Sequence, residues 1–243
     1  MNPLQILYQD KDIIVVNKPA GLAVHKKSPS DPQETLVDIL LKQFPEIADV
    51  GVDSLHAGYR IPRMSVRPGI VHRLDKYTSG VMVVAHNQET FEWLTKQFKD
   101  RLIEKQYFAL VVGNPKQDRG TIELPIGSLG VKKTTRHMRG GKARKWREAR
   151  TDWQVSKRYE GFTLLSVTPK TGRTHQIRVH LSSIGLPIAC DFFYGGKNIL
   201  CPAGLSRFFL HASRLRFSLP GNRKMEFSAD IPPELQEAIE KIS

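Results

Sequence analysis

Residues 106–112, with the sequence QYFALVV, form the feature that most restricts how this chain can fold. Both alternating faces of the run are largely apolar, whereas a strand with one solvent-exposed face would alternate apolar and polar residues. The run therefore predicts a central strand that is covered on both sides. Further short strands are predicted at residues 6–9, 13–17, 69–74, 79–85, 151–156, 162–168, 207–218 and 223–228.

Four helices are predicted between these strands. Asp31, Pro32 and Glu34 resemble a capping box, with Asp31 as the N-cap of a helix that stops at Pro45. Asn87 is the predicted N-cap of a second helix. The other two are expected near 174–184 and 233–242. Because strands and helices do not alternate strictly, we predict an α+β fold with a mixed, mainly antiparallel central sheet flanked by helices.

The organisation of the chain favours one domain. No repeat, low-complexity segment or linker divides it, so residues 1–243 are predicted to form a single domain of two lobes. Its aliphatic runs are far shorter than the ~20 apolar residues that cross a bilayer, and no signal-peptide pattern is visible. Cys190 and Cys201 lack CxxC spacing, which argues against a disulfide framework or a zinc site. We therefore expect a cytoplasmic protein in a reducing compartment, monomeric, with no membrane association and no obligatory protein partner.

Positive charge is concentrated in residues 131–150, which we call the basic segment. The chain has 37 Lys and Arg against 24 acids, a net charge of +13. The basic segment holds nine Lys or Arg and one Glu, so nine minus one, or +8, lies there. A concentrated basic stretch with interleaved aromatic residues is typical of nucleic-acid binding. The alternative is a solvated loop without a partner.

The HRLD sequence at residues 72–75 lies in a break between two apolar runs. A loop at the end of a strand can present a reactive group on a rigid scaffold. The ionised carboxylate of Asp75 could act there as a nucleophile or a base. The alternative is that Asp75 caps a turn while Arg73 pairs with it at the surface.

Residues 171–180, TGRTHQIRVH, form a second polar motif. On a helix, His175 and Arg178 would share one face and Gln176 and His180 another. The fork of donors on Arg178 could hold a carboxylate or a phosphate bidentately. The two histidines have no third ligand at a suitable spacing, so we predict no metal site.

Tyr107 is the phenol within the apolar 106–112 strand. Its position alone favours core packing with a satisfied hydroxyl group. Beside a reactive Asp75 it could instead stack on a flat ring or move a proton.

These motifs together resemble the RluA family of RNA pseudouridine synthases. The resemblance extends from residue 6 to about 230 and rests on an ordered series: ILYQDKDIIVVNKPAGLAVH, GIVHRLDKYTSGVMVVA, KQYFALVVG, AxTxWxV at 149–155, PKTGRTHQIRVHLSSIGLPIACDFFYG and LHASRLRF. It implies a mixed, mainly antiparallel sheet with a central cleft, and isomerisation of uridine in RNA without metal or cofactor. We expect a catalytic domain only, without the separate N-terminal RNA-binding domain that some members of the family carry.

The resemblance assigns roles to individual residues. Asp75 matches the essential aspartate of the family, Tyr107 its active-site tyrosine, and Arg178 the arginine that pairs with that aspartate. Arg73 matches the arginine thought to fill the gap left by a flipped-out uridine. Contacts to RNA are expected from His72, Arg73, Arg173, His175, Lys142, Arg144, Lys145 and Arg147.

The chemistry agrees with these roles. Isomerisation breaks the N1–C1′ bond of uridine, turns the uracil and rejoins it through C5. Asp75 could attack C1′ or remove the 2′ proton, and Arg178 would keep its carboxylate ionised. The RNA could be ribosomal, which we slightly favour, or transfer RNA. The alternative function is a non-catalytic RNA-binding module or chaperone.

Overall fold

The structure is a computed structural model that describes residues 4–26, 28, 30–52, 67–128, 136–137 and 144–242. It divides into two compact units. The first unit comprises residues 1–104 and 214–229, and the second comprises residues 105–213 and 230–243. Both units contain antiparallel strands with helices against them, so the predicted α+β class with a mainly antiparallel sheet is confirmed. The assignment of residues 1–243 to one domain stays a prediction.

The first unit is built around two strands that are largely apolar and buried. Its elements are β1 (Gln5–Gln9), β2 (Ile13–Lys18), α1 (Leu36–Gln43), a 3-10 helix (Pro45–Asp49), β3 (Ser79–Ala85), α2 (Gln88–Lys99), the end of β11 (Leu210–Leu219), a 3-10 turn (Pro220–Asn222) and β12 (Arg223–Ser228). Strand β2 pairs antiparallel with β1 on one side and with β3 on the other. All seven residues of β3 are buried. Its apolar run therefore anchors the segment that precedes it, which carries the HRLD sequence.

Two local predictions in the first unit are corrected by the structure. Helix α1 has Thr35 as its N-cap, in a capping box with Asp38, and does not begin at Asp31. The carboxylate of Asp31 instead accepts the backbone N–H of Gln33, which makes a turn. Asn87 caps α2 as predicted, accepting the backbone N–H of Thr90.

The segment 69–74 is the second correction, because only Ile70 bridges to β3, at Val84. Beyond Ile70, the Nε2 atom of His72 accepts the backbone N–H of Val83 at 3.1 Å. That side chain takes the place of a strand carbonyl, so the backbone is released from the sheet and continues as the HRLD loop.

The second unit contains the neighbouring strands β4, β10, β9 and β5, hydrogen-bonded in that order. Its elements are β4 (Glu104–Val112), β5 (Arg119–Glu123), β6 (Ile126–Ser128), β7 (Arg136–His137), β8 (Arg144–Arg147), β9 (Arg150–Tyr159), β10 (Phe162–Pro169), α3 (Gln176–Ser183), the start of β11 and α4 (Pro233–Glu240). Residues 109–111 of β4 are fully inaccessible, which confirms the covered strand predicted from QYFALVV. Helix α3 packs against β9 and β10 and so brings the 171–180 motif to this sheet.

Cys190 and Cys201 form a disulfide, which corrects the prediction from their spacing. They are 11 positions apart in the sequence, but the intervening loop folds back and brings their Cα atoms to 4.7 Å. Spacing alone could not show this return of the chain. The cysteines therefore no longer support the expected reducing compartment.

Within the described residues, no helix has the length and apolar character needed to span a membrane.

Candidate functional site

The HRLD loop, residues 72–75, presents Asp75 from the first unit. Leu74 is buried and anchors the loop, whereas Asp75 is half-buried. The backbone N–H of Thr78 bonds to the carbonyl of Asp75 at 3.1 Å, which closes a turn just before β3. Asp75 therefore lies at a fixed point of the backbone with its side chain partly open to solvent.

Lys18 braces this loop, a role that the sequence analysis missed. Its side chain is fully inaccessible. Its ammonium group donates to the carbonyls of Pro19, Leu22 and Lys76, at 2.8, 2.9 and 3.2 Å. A buried ammonium group needs acceptors for its three hydrogens, and these carbonyls supply them. The turn after β2 is thereby attached to the residue that follows Asp75. The signal in the sequence was a lysine placed directly at the end of an apolar strand.

His72 has a structural position in the same loop. Besides accepting the N–H of Val83, its ring stacks on Phe98, with the ring centroids 4.7 Å apart. These contacts orient the start of the HRLD loop. The contact of His72 with RNA stays a prediction.

Tyr107 lies on β4 in the second unit and is half-buried. It is directly opposite Val167 of β10 in the antiparallel register. Lys105 shares its face of the strand, because residues two apart along a strand point the same way. Burial lowers the pKa of the Lys105 ammonium group to about 8. This face of β4 therefore combines a phenol with a partly desolvated amine.

Arg178 is held by a carboxylate that the sequence analysis did not identify. Its Nε and Nη2 atoms donate to Oδ2 and Oδ1 of Asp191, at 2.6 and 2.8 Å. Both side chains are buried. The guanidinium carbon also lies 5.0 Å from the ring centroid of Tyr194 and 4.2 Å from that of Phe208. The bidentate fork predicted for Arg178 is present with Asp191, and pairing of Arg178 with Asp75 stays a prediction.

Asp191 also organises its own loop. Its Oδ1 atom accepts the backbone N–H groups of Phe193 and Tyr194, both at 3.3 Å. One carboxylate thus positions both the arginine and the aromatic residue beside it. A buried arginine requires such a partner, but Arg178 and Asp191 are 13 positions apart and no local pattern indicated which acid it would be.

We expect Asp191→Asn to destabilise the protein strongly. Removing the charge of one partner of a buried, bidentate ion pair costs about 3–5 kcal/mol. Urea denaturation of wild type and variant measures this change. The matched control is Asp118→Asn, since Asp118 pairs with Arg158 at an exposed site and should contribute little. Equal denaturation midpoints for the two variants would contradict the assignment.

His175 does not lie on the helix, which corrects the predicted start near residue 174. Helix α3 begins at Gln176, and His175 precedes it with the left-handed dihedral angles φ 57° and ψ 20°. Its Nδ1 atom hydrogen bonds with the hydroxyl group of Tyr194 at 2.9 Å. The amide oxygen of Gln176 accepts from the hydroxyl of Thr171 and the N–H of Arg173, which shapes the turn before the helix. His175 and Arg178 therefore meet through Tyr194 and not through a shared helical face.

Gln176 and His180 share a structural network. Both contact the hydroxyl group of Thr151, at 3.0 and 2.8 Å, and the other ring nitrogen of His180 lies 3.0 Å from the carbonyl of Leu124. Burial lowers the pKa of His180, which favours the neutral ring. This histidine therefore ties α3 to the sheet.

The basic segment is described only in part. Strand β8 pairs with β6, and the side chains of Lys145, Trp146 and Arg147 are exposed. Lys142 lies outside the described residues, and of Arg144 only the backbone pairing with Ser128 is described. Arg173 donates from Nε to the carbonyl of Glu148 at 3.1 Å, which links the end of this segment to the turn before α3.

Comparison with known proteins gives consistent results. The family model described as RNA pseudouridylate synthase matches residues 12–183, which include Asp75, Tyr107 and Arg178. A protein of Aquifex aeolicus named as an uncharacterized RNA pseudouridine synthase is 44% identical over 205 residues, which cover 84% of this chain and 60% of that protein. A protein of Yersinia pestis named ribosomal large subunit pseudouridine synthase D is 36% identical over 248 residues, which cover 98% of this chain and 70% of that protein. The chain thus spans about 60% of the length of the Aquifex relative.

Solved structures agree with the sequence matches. Human RNA pseudouridylate synthase domain containing 4 aligns with a TM-score of 0.72 and 28% identity, covering 98% of this chain and 92% of the human one. Human RNA pseudouridylate synthase domain containing 1 aligns with the same TM-score and 29% identity, covering 97% and 87%. Similarity of this extent covers nearly every element described above.

Proposed function

This chain belongs to the RNA pseudouridylate synthase family, and we propose that it isomerises uridine to pseudouridine in structured RNA. The observation that carries the proposal is the braced HRLD loop. It holds Asp75 half-exposed, at a position inside the matched residues 12–183. A carboxylate on a fixed backbone is the arrangement that covalent or general-base catalysis requires.

We propose Asp75 as the residue that acts on the sugar. Attack of its carboxylate on C1′ would break the C1′–N1 bond, release the uracil and leave a sugar ester. Attack of the uracil C5 on C1′ would then break the ester bond and release the carboxylate. Removal of the 2′ proton would instead give a glycal, and the carboxylate would later return the proton. Both routes regenerate the carboxylate and need no oxidant, reductant or metal.

Tyr107 and Arg178 are proposed to serve the same uridine. Tyr107 would stack on the detached uracil and help to remove the C5 proton. Arg178 would favour the ionised form of Asp75, because an adjacent positive charge lowers the pKa of a carboxylate. The Asp191 carboxylate and the rings of Tyr194 and Phe208 support this role, since they restrict the guanidinium group to one orientation.

The target nucleotide must leave its stack before Asp75 can reach its sugar. Extrusion of a base costs a few kcal/mol, so enzymes of this kind need compensating contacts. We propose that Arg73, which is exposed two residues before Asp75, supplies one of them. Arg173 and His175 are proposed to contact RNA from the second unit.

Ribosomal RNA is our proposed substrate, ahead of transfer RNA. One relative is named for the large ribosomal subunit, and it aligns over 98% of this chain. We further propose that the protein acts as a cytoplasmic monomer without cofactor.

Mapping of pseudouridines in total RNA tests this function. Cells with the gene should contain at least one modified site that cells without it lack, and the site should return with the wild-type gene but not with Asp75→Asn. A non-catalytic RNA-binding module or chaperone would leave the map unchanged. An unchanged map would therefore overturn the proposed activity.

The basic segment is expected to control the salt dependence of RNA binding. Each phosphate contact contributes roughly 0.7–0.9 to the slope of log K against log salt. Neutralising Lys142, Arg144, Lys145 and Arg147 together should lower that slope by up to about 3 and weaken binding. Turnover at saturating RNA should change little, because the segment is assigned to docking.

Filter binding over a range of salt concentrations measures the slope. The matched control neutralises four exposed cations of the first unit, namely Lys11, Lys96, Lys99 and Arg101. It removes the same net charge from another surface. If both four-fold variants show the wild-type slope, the segment is a solvated loop and the docking role is wrong.

A further inference from the structure

Three basic side chains gather in the first unit without a carboxylate among them. They are His25, Arg67 and Arg73, which we call the cationic cluster. The Nη1 atom of Arg73 lies 3.4 Å from Nε2 of His25. Burial, followed by the positive charges of Arg67 and Arg73, lowers the pKa of His25 to about 4. Burial and the charge of Arg73 also lower the pKa of Arg67. The two guanidinium groups therefore lie close enough to repel each other.

Other arginines of the chain contrast with this cluster. Within the described residues, seven of them form an ion pair with a carboxylate: Arg150, Arg158, Arg178, Arg207, Arg214, Arg216 and Arg223. In the same part of the chain, neither Arg67 nor Arg73 has such a pair. Arg67 is half-buried and lies beside the exposed Arg73. A partly desolvated charge next to a like charge, without a counterion, is unfavourable in the protein alone.

Two hydrogen-bond donors of the cluster are unsatisfied among the described residues. The Nε atom of Arg67 and the Nδ1 atom of His25 are buried and have no hydrogen-bond partner there. Arginine only donates, so the contact with Arg73 makes Nε2 of His25 the acceptor. In the neutral ring the proton is then on Nδ1. Both unsatisfied atoms are thus N–H donors, which only an acceptor can complete.

We propose that His25, Arg67 and Arg73 form a binding site for a phosphate group of the RNA backbone. A phosphodiester offers oxygen acceptors and no donor. Its negative charge would serve as the counterion of the two guanidinium groups. Arginine forks match phosphate oxygens geometrically, and charge-assisted bonds of this kind are the strong ones.

The position of the cluster indicates which phosphate it binds. Arg73 and Asp75 are two residues apart, so their Cα atoms are at most about 7 Å apart. The site therefore takes a phosphate at or next to the nucleotide on which Asp75 acts. Arg73 would hold the backbone there, in addition to any role in filling the vacated stack. This inference rests on the proposed function, because that function identifies RNA as the ligand.

Nuclear magnetic resonance of the wild-type protein with inorganic phosphate gives a test that needs no variant and no activity. We expect saturable shifts of the Arg67 Nε–H signal and of the His25 ring signals. The pKa of His25 should also rise, because a bound anion offsets the two positive charges. Chloride at the same ionic strength should produce neither change. If phosphate and chloride act alike on these signals, the site does not exist.

A matched pair of variants tests the residues. Arg67→Gln should weaken phosphate binding at least about tenfold, as expected for loss of a charge-assisted bond. Arg101→Gln removes an exposed positive charge of the same unit and should bind phosphate as wild type does. Equal weakening in both variants would mean that the effect is one of net charge, and would overturn the proposal.

RNA binding distinguishes a backbone phosphate from a free one. Arg67→Gln should lower the salt slope of RNA binding by about 1, which corresponds to one phosphate contact, and Arg101→Gln should not. A variant that loses phosphate binding but keeps the wild-type salt slope would show a site for free phosphate, against the proposal. If the wild type makes no pseudouridine while these shifts and slopes are as expected, the proposed activity fails and the phosphate site stands.

Discussion

The Asp75→Asn protein is expected to form no pseudouridine while binding RNA within a few-fold of wild-type affinity. The amide cannot attack C1′ or accept the 2′ proton, so both routes that we propose are closed. Asp75 contributes no positive charge to phosphate contacts, and the loop is held by the contacts of Lys18 and Leu74, which the substitution leaves in place. Binding should therefore persist.

Single-turnover assays with excess enzyme measure this loss, and filter binding measures the affinity. Asp100→Asn is the matched control, because Asp100 is an exposed acid of the same unit at the end of α2. It should retain wild-type turnover. Residual turnover of even a few per cent in Asp75→Asn would count against the catalytic assignment.

Arg178→Lys is expected to lower turnover by about a hundredfold. Removing one preorganised electrostatic contact in an active site typically has an effect of about this size. A lysine ammonium group is a point charge and cannot make the bidentate contact with Asp191 while packing between the rings of Tyr194 and Phe208. The charge would remain, but its position relative to the substrate would not be defined. We expect the loss mainly in kcat, since RNA docking is assigned to other residues.

Steady-state kinetics separate kcat from KM for this variant. Arg158→Lys is the control, because Arg158 pairs with Asp118 at an exposed site, where lysine can substitute. Near-normal turnover of Arg178→Lys would show that the fork is not needed and that its geometry has no part in catalysis.

Local features of the chain were predictable because neighbouring residues encode them. Strands β2, β3 and β4 follow from their apolar runs, and the cap of α2 follows from Asn87. The motifs of residues 72–75 and 171–180 indicated the family, which the comparisons confirm. The cap of α1 shows the limit of this reasoning. Two local patterns competed there, and the structure uses Thr35 for the cap and Asp31 for the preceding turn.

Contacts between distant segments were decided only by the tertiary structure. The acid that holds Arg178, the brace from Lys18 to Lys76, and the approach of Arg73 to His25 join residues that are 13, 58 and 48 positions apart. Sequence spacing indicates which side chains share one helix face or one strand face, because those periods are fixed by the backbone. It does not show where a loop returns, as the loop between Cys190 and Cys201 does. The sequence alone therefore determined the strands with long apolar runs, such as β2, β3 and β4, and the residue types that could do the chemistry. The tertiary structure decided which partners hold those residues in place. A buried charge needs a hydrogen-bond or ion-pair partner, and chain packing determines which residue lies next to it.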